Sequence, residues 1–269
     1  MDMNIDPPVG ERVKALRQAR RLSQLELSLR VGVSQRHLSF IETGRSQPSR
    51  EMLLALMDAL ELPLAERNQL LIKAGFAPHY PQQPLASPDM AAVREALEQL
   101  LEAHDPCPAM VLDSRWNILL TNRGLAKLLQ LLSGRDLLAE AQAAGRTLNV
   151  LDMLLDPNGL QRCFLNRDEI LSLIHRRVWR EVLHEPELEP RLAAFERLGI
   201  TRRSPAQAYP PPTPVVTSRL QVPGTSHPLA FFSMFTTFGT PHDITAASLK
   251  VEHLFPADGA TRQFVQAWL

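Results

Sequence analysis

The chain has 269 residues, of which 45% are hydrophobic, and its equal numbers of basic and acidic residues give a formal net charge of zero. A chain of this length suits two domains, and a neutral chain shows no overall attraction to nucleic acid. The two cysteines, Cys107 and Cys163, form no CxxC pattern, so neither a disulfide framework nor a cysteine zinc site is expected. The start of the chain does not resemble a signal peptide and no run of about 18 apolar residues occurs, so we expect a cytoplasmic protein that does not enter a membrane.

The charge is nevertheless uneven along the chain. Residues 1–50 carry nine Arg or Lys residues and five Asp or Glu residues, which is a net charge of +4. The remaining residues therefore sum to −4. Any attraction to a polyanion such as nucleic acid is expected to be concentrated in the N-terminal segment.

Residues 9–76 are predicted to form short helices separated by turns. Ser23 and Glu26 form a capping box, in which each side chain reaches a free backbone amide at the start of a helix. That helix ends at Gly32, where the turn needs a positive φ. Ser34 then caps the next helix. Two short helices joined by a tight glycine turn predict a helix-turn-helix.

The apolar residues of this helix pair are spaced so that they share one face. The second helix begins with the polar residues Gln35, Arg36 and His37, and Ser39 follows one turn later, so we expect these side chains to be exposed. The residues predicted to face the core are Leu25, Leu27, Val31, Val33, Leu38 and Ile41.

The polar start of the second helix suits DNA recognition, because a recognition helix uses its N-terminal residues to reach base edges in the major groove. Gln pairs with adenine through two hydrogen bonds, and Arg pairs in the same way with guanine. Gln24 lies at the start of the preceding helix, where it is placed to hold a phosphate, and Arg45 and Ser46 are placed to contact the DNA backbone. The candidate DNA-binding residues are Gln24, Ser34, Gln35, Arg36, His37, Ser39, Arg45 and Ser46.

Residues 9–76 resemble an XRE-type, lambda-repressor-like helix-turn-helix domain through the pattern RxxRxLSQxEL…VGVSxRHLSxIExGRSxPSxxxLxxL. Ser28 departs from the family, which usually has Ala there, but it is small enough for close helix packing. The resemblance implies a five-helix domain that binds double-stranded operator DNA. Because one such domain usually binds weakly, we expect a homodimer over half-sites about 34 Å apart. The alternative is a protein-interaction module that uses the helix-turn-helix against a protein partner.

The rest of the chain has a different organisation. Residues 78–88 contain four prolines and are predicted to be a linker, so we place the domain boundaries at residues 1–77, 78–88 and 89–269. The elements predicted after the linker are a helix at 89–104, two short strands within 108–122, helices from 123 to about 198, a proline-rich loop at 204–214, strands at 215–222, 229–238 and 248–255, and a last short helix.

The strand predicted at 229–238 is apolar on both faces, so we expect it to be covered on both sides. Phe and Met with sparse Ser and Thr are typical of an apolar ligand pocket. They are equally typical of a sheet core, which is the interpretation that this composition favours when it is taken alone.

Residues 106–268 resemble the MmyB-like ligand-binding domain that often follows this type of helix-turn-helix. The matching segments are WNILLTNRG, LDPNGL, FFSMFTTFGTPHDIT and FPADGAT, whereas RRVWREV departs from the usual RLxRE. The resemblance implies a PAS-like pocket for a small hydrophobic, fatty-acid-like ligand. The candidate ligand-binding residues are Trp116, Asn122, Phe231, Ser233 and Phe235, and capping the following helix is the alternative role of Asn122.

The sequence lacks the common catalytic and metal-binding motifs, since it contains no HxH, HExxH, GxGxxG, P-loop or GxSxG pattern. No enzyme activity, metal site or cofactor is therefore predicted, and a cofactor-bearing sensor, for example one with haem, stays as an alternative. The predicted fold class is α+β, with an all-α N-terminal domain and a PAS-like mixed α/β sensor domain. With both resemblances, we expect a transcription regulator whose ligand changes its affinity for an operator.

Overall fold

The structure is a computed structural model, and it describes residues 8–201 and 214–268. The chain divides into two compact units, the first up to Gln83 together with Pro241–Ile244, and the second from Pro84 to Thr240 and from Thr245 onward. The first unit is helical and the second combines a sheet with helices, so the predicted α+β class is confirmed. The proline-rich loop predicted at 204–214 lies, except for Pro214, outside the described residues.

The first unit contains the five helices that the resemblance implied. Three capping residues, Ser23, Ser34 and Ser49, each accept a hydrogen bond from a backbone N–H in the first turn of the helix that follows. The helices are α1 (Val9–Ala19), α2 (Gln24–Val31), α3 (Gln35–Glu42), α4 (Arg50–Ala59) and α5 (Leu64–Lys73).

The core of the first unit agrees with the predicted inward face at all but one position. Leu27 and Leu38 are fully buried, Ile41 is nearly so, and Val31 and Val33 are partly buried against them. The prediction for Leu25 is wrong, since 52% of this residue is exposed. The helix turns by about 100° per residue, so Leu25 lies about 200° around the helix from the fully buried Leu27.

The chain that follows α5 is fixed to it by the side-chain amide of Asn68. The backbone N–H groups of His79 and Tyr80 donate to Asn68 Oδ1 at 2.9 and 3.0 Å, and Asn68 Nδ2 donates to the Tyr80 carbonyl at 2.7 Å. Two further hydrogen bonds, from Gln83 N to Asp243 Oδ2 and from Ile244 N to the Pro81 carbonyl, join the segment 241–244 to this part of the first unit. The start of the predicted linker is therefore ordered against the helical unit.

The second unit is built on a five-stranded antiparallel sheet with the strand order β2-β1-β5-β4-β3. The first two strands form the hairpin predicted within 108–122. The last three overlap the strand-like runs predicted near the C-terminus, and β5 extends one residue beyond its run. The strands are β1 (Ala109–Leu112), β2 (Ile118–Thr121), β3 (Thr217–Leu220), β4 (Leu229–Thr236) and β5 (Lys250–Pro256).

The two faces of this sheet pack against different helices, because successive strand residues point to opposite sides. In β1, Ala109 and Val111 pack with the helix that precedes the strand, whereas Met110 and Leu112 pack with the helices that follow β2. The helices of this unit are α6 (Ala91–His104), α7 (Arg123–Ser133), α8 (Leu137–Ala143), α9 (Val150–Leu155), α10 (Arg167–Glu181), α11 (Glu189–Arg197), α12 (Ile244–Ser248) and α13 (Gly259–Gln266).

Strand β4 differs from its prediction, because only its first half is covered. Leu229 and Phe231 are buried, but Met234 is 54% exposed and Phe235 is 37% exposed. One side of β4, which carries Phe235, faces a cavity. The other side, which carries Met234, is only partly covered by other residues. The expectation of cover on both sides is therefore wrong for the second half of the strand.

Candidate functional sites: a recognition helix and an apolar cavity

The turn between α2 and α3 has the geometry that its residues predict. Glu26 N donates to Ser23 Oγ at 3.1 Å, and Ser23 N donates to Glu26 Oε2 at 2.7 Å, which completes the capping box. Gly32 has a φ of +72°, a conformation that L side chains rarely adopt. Ser34 Oγ then accepts from His37 N at 3.1 Å and starts α3. This local chemistry fixes the direction in which α3 presents its first turn.

The first turn of α3 carries a polar surface. Gln35 and Arg36 are exposed, as are Ser34 before the helix and Arg45 after it. His37, Ser39, Ser46 and Gln24 are partly buried. The structure therefore leaves accessible surface on every one of the residues predicted to bind DNA, and it places them at the start of α2, along α3 and in the turn that follows α3.

An aromatic ring supports two of the arginines in this surface. The Cζ atom of Arg36 lies 5.3 Å from the centre of the Phe40 ring, and that of Arg45 lies 6.0 Å from the same centre. A guanidinium at this distance from a ring face is attracted by the π electrons. Phe40 therefore limits the freedom of both cations, a contribution that the sequence analysis missed.

Beneath this surface, a buried carboxylate joins three helices. Glu42 is 2% exposed and accepts hydrogen bonds from Arg17 Nε at 2.6 Å, from a second Arg17 nitrogen at 2.9 Å and from Gln24 Nε2 at 2.8 Å. Burial acts to raise the pKa of Glu42, but the hydrogen bonds from Arg17 and Gln24 outweigh burial and lower the pKa. Gln24 is thus held in place at the start of α2 by one N–H of its amide.

The second unit contains a partly open cavity of about 780 Å³ between the sheet and helices α7, α9 and α10. This volume lies within the usual range for small-molecule sites. Four candidate ligand-binding residues, Trp116, Phe231, Ser233 and Phe235, line the cavity. The apolar wall includes Met110, Ile118, Leu125, Leu128, Leu129, Leu132, Met153, Leu154, Leu160, Phe164, Ile170, Leu173, Ile174 and Leu254.

Asn122, the fifth candidate, is not part of the cavity wall. Its Oδ1 accepts from Leu125 N at 3.0 Å and from Ala109 N at 2.9 Å, and its Nδ2 donates to the Cys107 carbonyl at 2.7 Å. The structure therefore gives Asn122 its alternative role as the cap of α7, which it combines with bonds to the preceding chain.

Trp116 occupies the cavity wall in an unusual backbone conformation, with a φ of +68°. A bulky residue in the left-handed region costs about 1–3 kcal/mol and persists only where its surroundings impose it. Here Asp113 imposes it, because its carbonyl accepts from Trp116 N and its Oδ1 accepts from the N–H groups of Arg115 and Asn117. Such strain is common at binding sites, and in this turn it holds the indole in the wall of the cavity.

Three residues of the cavity wall, Trp116, Arg177 and Glu181, meet Lys250, and we call these four residues the Glu181 cluster. Glu181 accepts from Trp116 Nε1 at 2.7 Å, from Arg177 Nε at 3.2 Å and from Lys250 Nζ. The Arg177 guanidinium also lies over two rings, with its Cζ 3.7 Å from the centre of the Phe235 ring and 5.2 Å from that of Trp116. The Glu181 carboxylate is therefore satisfied by donors inside the protein, and the cluster has one more positive than negative charge.

Glu252 is a second carboxyl in the cavity wall, and Ser233 Oγ donates to its Oε1 at 2.7 Å. Burial raises the pKa of Glu252, while the Ser233 hydrogen bond and the charge of Arg177 act in the opposite direction. The sequence analysis missed both carboxyls and Arg177. The available signal was the alternation in KVEHLF, which directs Lys250, Glu252 and Leu254 to the same face of β5.

No group of three or more His, Cys, Asp or Glu residues that could hold a metal ion occurs within residues 8–201 and 214–268. Both cysteines are free, and burial raises the pKa of each thiol. Among the helices of the described part of the chain, none has the length and apolar character that a membrane span requires.

Two solved structures resemble the N-terminal part of the chain. The P22 c2 repressor in complex with synthetic operator 9T in the presence of Tl⁺ is 34% identical, and the match covers 24% of this chain and 94% of that one with a TM-score of 0.22. The restriction-modification controller protein C.AhdI from Aeromonas hydrophila is 30% identical, with coverages of 22% and 89% and a TM-score of 0.21.

Two curated relatives also match. An uncharacterized HTH-type transcriptional regulator, y4dL, from Sinorhizobium fredii is 35% identical over 66 residues, which are 24% of this chain and 34% of the relative. The immunity repressor protein of Bacillus phage phi105 is 31% identical over 99 residues, which are 36% of this chain and 67% of the relative. The chain thus spans about a third of the length of y4dL.

Two family matches cover most of the chain. Residues 13–67 match a helix-turn-helix family, and residues 93–267, more than half of the chain, match the MmyB-like transcription regulator ligand binding domain. The first match contains α2 and α3, and the second contains the sheet and the cavity. The chain therefore belongs to the family of MmyB-like transcription regulators, in which a helix-turn-helix precedes a ligand-binding domain.

Proposed function

We propose that this protein is a homodimeric, sequence-specific DNA-binding regulator whose operator affinity is controlled by a small hydrophobic, fatty-acid-like ligand. The observation that carries the proposal is the cavity of about 780 Å³, walled mainly by Leu, Ile, Met and Phe, inside a domain of a ligand-binding family. An apolar molecule in a space of this size gives the side chains of the wall the packing contacts that a protein core provides.

The DNA-binding part of the proposal is supported by the exposed start of α3. Gln35 and Arg36 are free to reach base edges, and the bond from Gln24 to Glu42 sets the position of the proposed phosphate contact. The phage phi105 relative is by name an immunity repressor. A similar role for this chain implies an operator of two half-sites, each of which takes one α3 of a homodimer.

Control by the ligand requires that the ligand bind two states of the regulator with different affinity. A coupling of about 1–3 kcal/mol between the cavity and the DNA surface is enough to change operator occupancy several-fold. We infer a PAS-like sensor, and the sheet order β2-β1-β5-β4-β3 with helices between β2 and β3 supports this inference. In this proposal the protein acts in the cytoplasm, where its operator is accessible.

Native mass spectrometry of the purified full-length chain, alone and with DNA from upstream of its own gene, tests the proposal. We expect a dimer that carries a small lipid-like mass and that shifts onto the DNA. Fluorescence anisotropy with a scrambled duplex as control then measures specificity at a fixed salt concentration, because phosphate contacts make every DNA affinity depend on salt. Equal affinity for the upstream duplex and the scrambled duplex would contradict the proposal.

A second candidate function, a protein-interaction module, is favoured by one observation. Leu25 and Leu29 lie one turn apart on α2 and are 52% and 71% exposed, so they form an apolar pair on the surface of the helical unit. This candidate predicts binding to a protein partner that Leu25→Ser and Leu29→Ser abolish. It also predicts no preference for upstream DNA, so the anisotropy experiment separates the two functions.

A further inference from the structure

The cavity wall contains a carboxyl group that the packing of the protein does not explain. Glu252 lies on β5 opposite Phe235 of β4, and both side chains face the cavity. Its neighbours in the wall are mainly apolar. Glu252 is half-buried, and a carboxyl in such a place is unfavourable unless hydrogen bonds satisfy it, so its presence on a central strand needs a cause.

The hydrogen bonds of Glu252 are incomplete. Within the described part of the chain, Ser233 Oγ is the one donor that reaches it, and Oε2 receives none. Glu181, in the same wall, accepts from Trp116, Arg177 and Lys250. The two carboxyls therefore differ: Glu181 is satisfied by the protein, and Glu252 has acceptor capacity that faces the cavity.

The charges around the cavity indicate what kind of donor fits. Among the residues that line the cavity, Arg177 and Arg180 are basic and Glu181 and Glu252 are acidic, so the lining itself has no excess of positive charge. A ligand carboxylate placed beside Glu252 would meet a second carboxyl group, which is an unfavourable pairing of like charges. A neutral donor avoids the cost of another charge, and a hydroxyl group is the smallest such donor that an aliphatic chain carries.

We propose that Glu252 and Ser233 form a head-group site that accepts a hydrogen bond from a hydroxyl group on an aliphatic ligand. The hydroxyl hydrogen bonds to Glu252 Oε2, Ser233 keeps its bond to Oε1, and the alkyl chain lies against the leucines of α7 and the isoleucines of α10. The inference rests on the proposed ligand-binding function and adds the class of ligand. Both a primary alcohol and a hydroxylated acyl chain carry the required group.

Isothermal titration calorimetry of the full-length protein with matched probes tests the site. Dodecanol carries the donor, dodecyl methyl ether keeps the chain and oxygen but cannot donate, and dodecanoic acid replaces the hydroxyl with a carboxylate. We expect dodecanol to bind about tenfold more tightly than the ether, which is within the usual effect of one hydrogen bond, and more tightly than the acid. A fourth probe, β-hydroxydodecanoic acid, decides which kind of ligand supplies the hydroxyl group. If it binds more tightly than dodecanol, the ligand is a hydroxylated acyl chain. If it binds more weakly, the ligand is a primary alcohol.

Variants connect this preference to the two residues. Glu252→Leu should bring the ratio of ether to dodecanol dissociation constants from about ten to about one, and Glu252→Gln and Ser233→Ala should give intermediate ratios. Ether binding by each variant shows that the cavity has kept its shape. Glu98→Gln, at an exposed glutamate on α6, is the control and should keep the wild-type ratio.

The outcomes separate this inference from the proposed function. If dodecanol, dodecyl methyl ether and dodecanoic acid bind with equal affinity, the proposed head-group site is contradicted while the ligand-binding function stands. The same conclusion follows if Glu252→Leu still prefers dodecanol to the ether. If dodecanoic acid binds best, the charge argument is wrong and an anionic head group takes its place. If no probe binds, the inference and the ligand-binding function both fail, and the DNA-binding experiment stands independently.

Discussion

Three polar side chains, one in the helical unit and two in the sheet unit, differ in how far the protein satisfies them. In the helical unit, Glu42 is almost completely buried and receives three hydrogen bonds, two from Arg17 and one from Gln24. In the sheet unit, Glu252 receives one hydrogen bond, and His175, which is 2% exposed, makes none with either ring nitrogen. A satisfied network specifies one arrangement, whereas an unsatisfied polar group lowers stability and marks a place that a ligand or a proton can change.

The largest expected effect comes from breaking the satisfied network. Glu42→Leu leaves the Arg17 guanidinium buried without its partner, so we expect the helical unit to lose about 3–5 kcal/mol of stability. Hydrogen exchange of α1–α3 in the full chain measures this loss. The double variant Arg17→Met with Glu42→Leu removes both charges and should recover most of it. A loss below about 1 kcal/mol in the single variant would show that the pair does not hold the unit together.

The outward face of the same unit provides the next effect. Arg36→Ala should cost about 1–3 kcal/mol of binding to the preferred duplex and little on a scrambled duplex, if Arg36 pairs with a guanine. Anisotropy on the two duplexes at one salt concentration gives the difference. Arg146→Ala, at an exposed arginine of the sheet unit, is the charge-matched control. Equal losses on both duplexes would assign Arg36 to the phosphate backbone instead.

The sequence analysis succeeded where structure depends on residues close together in the chain. The capping box at Ser23 and Glu26 and the turn at Gly32 are local, so their residue types are sufficient to predict them. The exposure of Leu25 could not be decided in this way, because it depends on how α2 rotates against the other helices.

The cavity shows the same limit more strongly. Trp116 comes from a hairpin turn, Arg177 from a helix and Glu252 from the last strand, so only the folded chain brings them together. The position of Asn122 was compatible with ligand binding and with capping α7. Only the hydrogen bond from Leu125 N to its Oδ1 shows that it caps the helix. The composition of β4 was enough to propose its aromatic residues as part of a ligand pocket. The charged residues of the cavity wall could not be proposed in this way, because that requires knowing which face of each strand points into the cavity.

His175 offers a smaller effect in the sheet unit. Burial lowers the pKa of His175, and the charge of Arg176 lowers it further. The charge of Glu196 acts to raise the pKa but is outweighed. Below about pH 6.5 the unfolded chain takes up a proton that the folded chain resists, so the stability of the unit should fall as the pH falls through this region. His175→Leu should remove this pH dependence and add about 1 kcal/mol at neutral pH, because it eliminates two unsatisfied nitrogens.

Hydrogen exchange of α10 and α11 between about pH 5 and pH 7 measures the effect of His175, which packs on Phe195 with ring centres 5.8 Å apart. His184→Leu, at an exposed histidine beyond the end of α10, is the control. If the wild type and His175→Leu have parallel pH profiles, the buried imidazole is not the group that responds to the proton.

The smallest expected effect distinguishes a structural carboxyl from a ligand-binding one. Burial raises the pKa of Glu252, so the folded chain holds a proton that the unfolded chain has already lost as the pH rises above the usual carboxyl range near 4.5. Stability should therefore fall as the pH rises from about 4.5 to the raised pKa, and Glu252→Gln should remove that fall.

At neutral pH we expect Glu252→Gln to be more stable by less than about 1 kcal/mol, whereas Glu42→Gln should be less stable. Hydrogen exchange of β4 and β5 measures the first change and that of α3 measures the second. A stabilised Glu252→Gln with a weaker preference for dodecanol would mean that the carboxyl is retained for a ligand at the expense of stability. A destabilised Glu252→Gln would instead make Glu252 a structural group like Glu42.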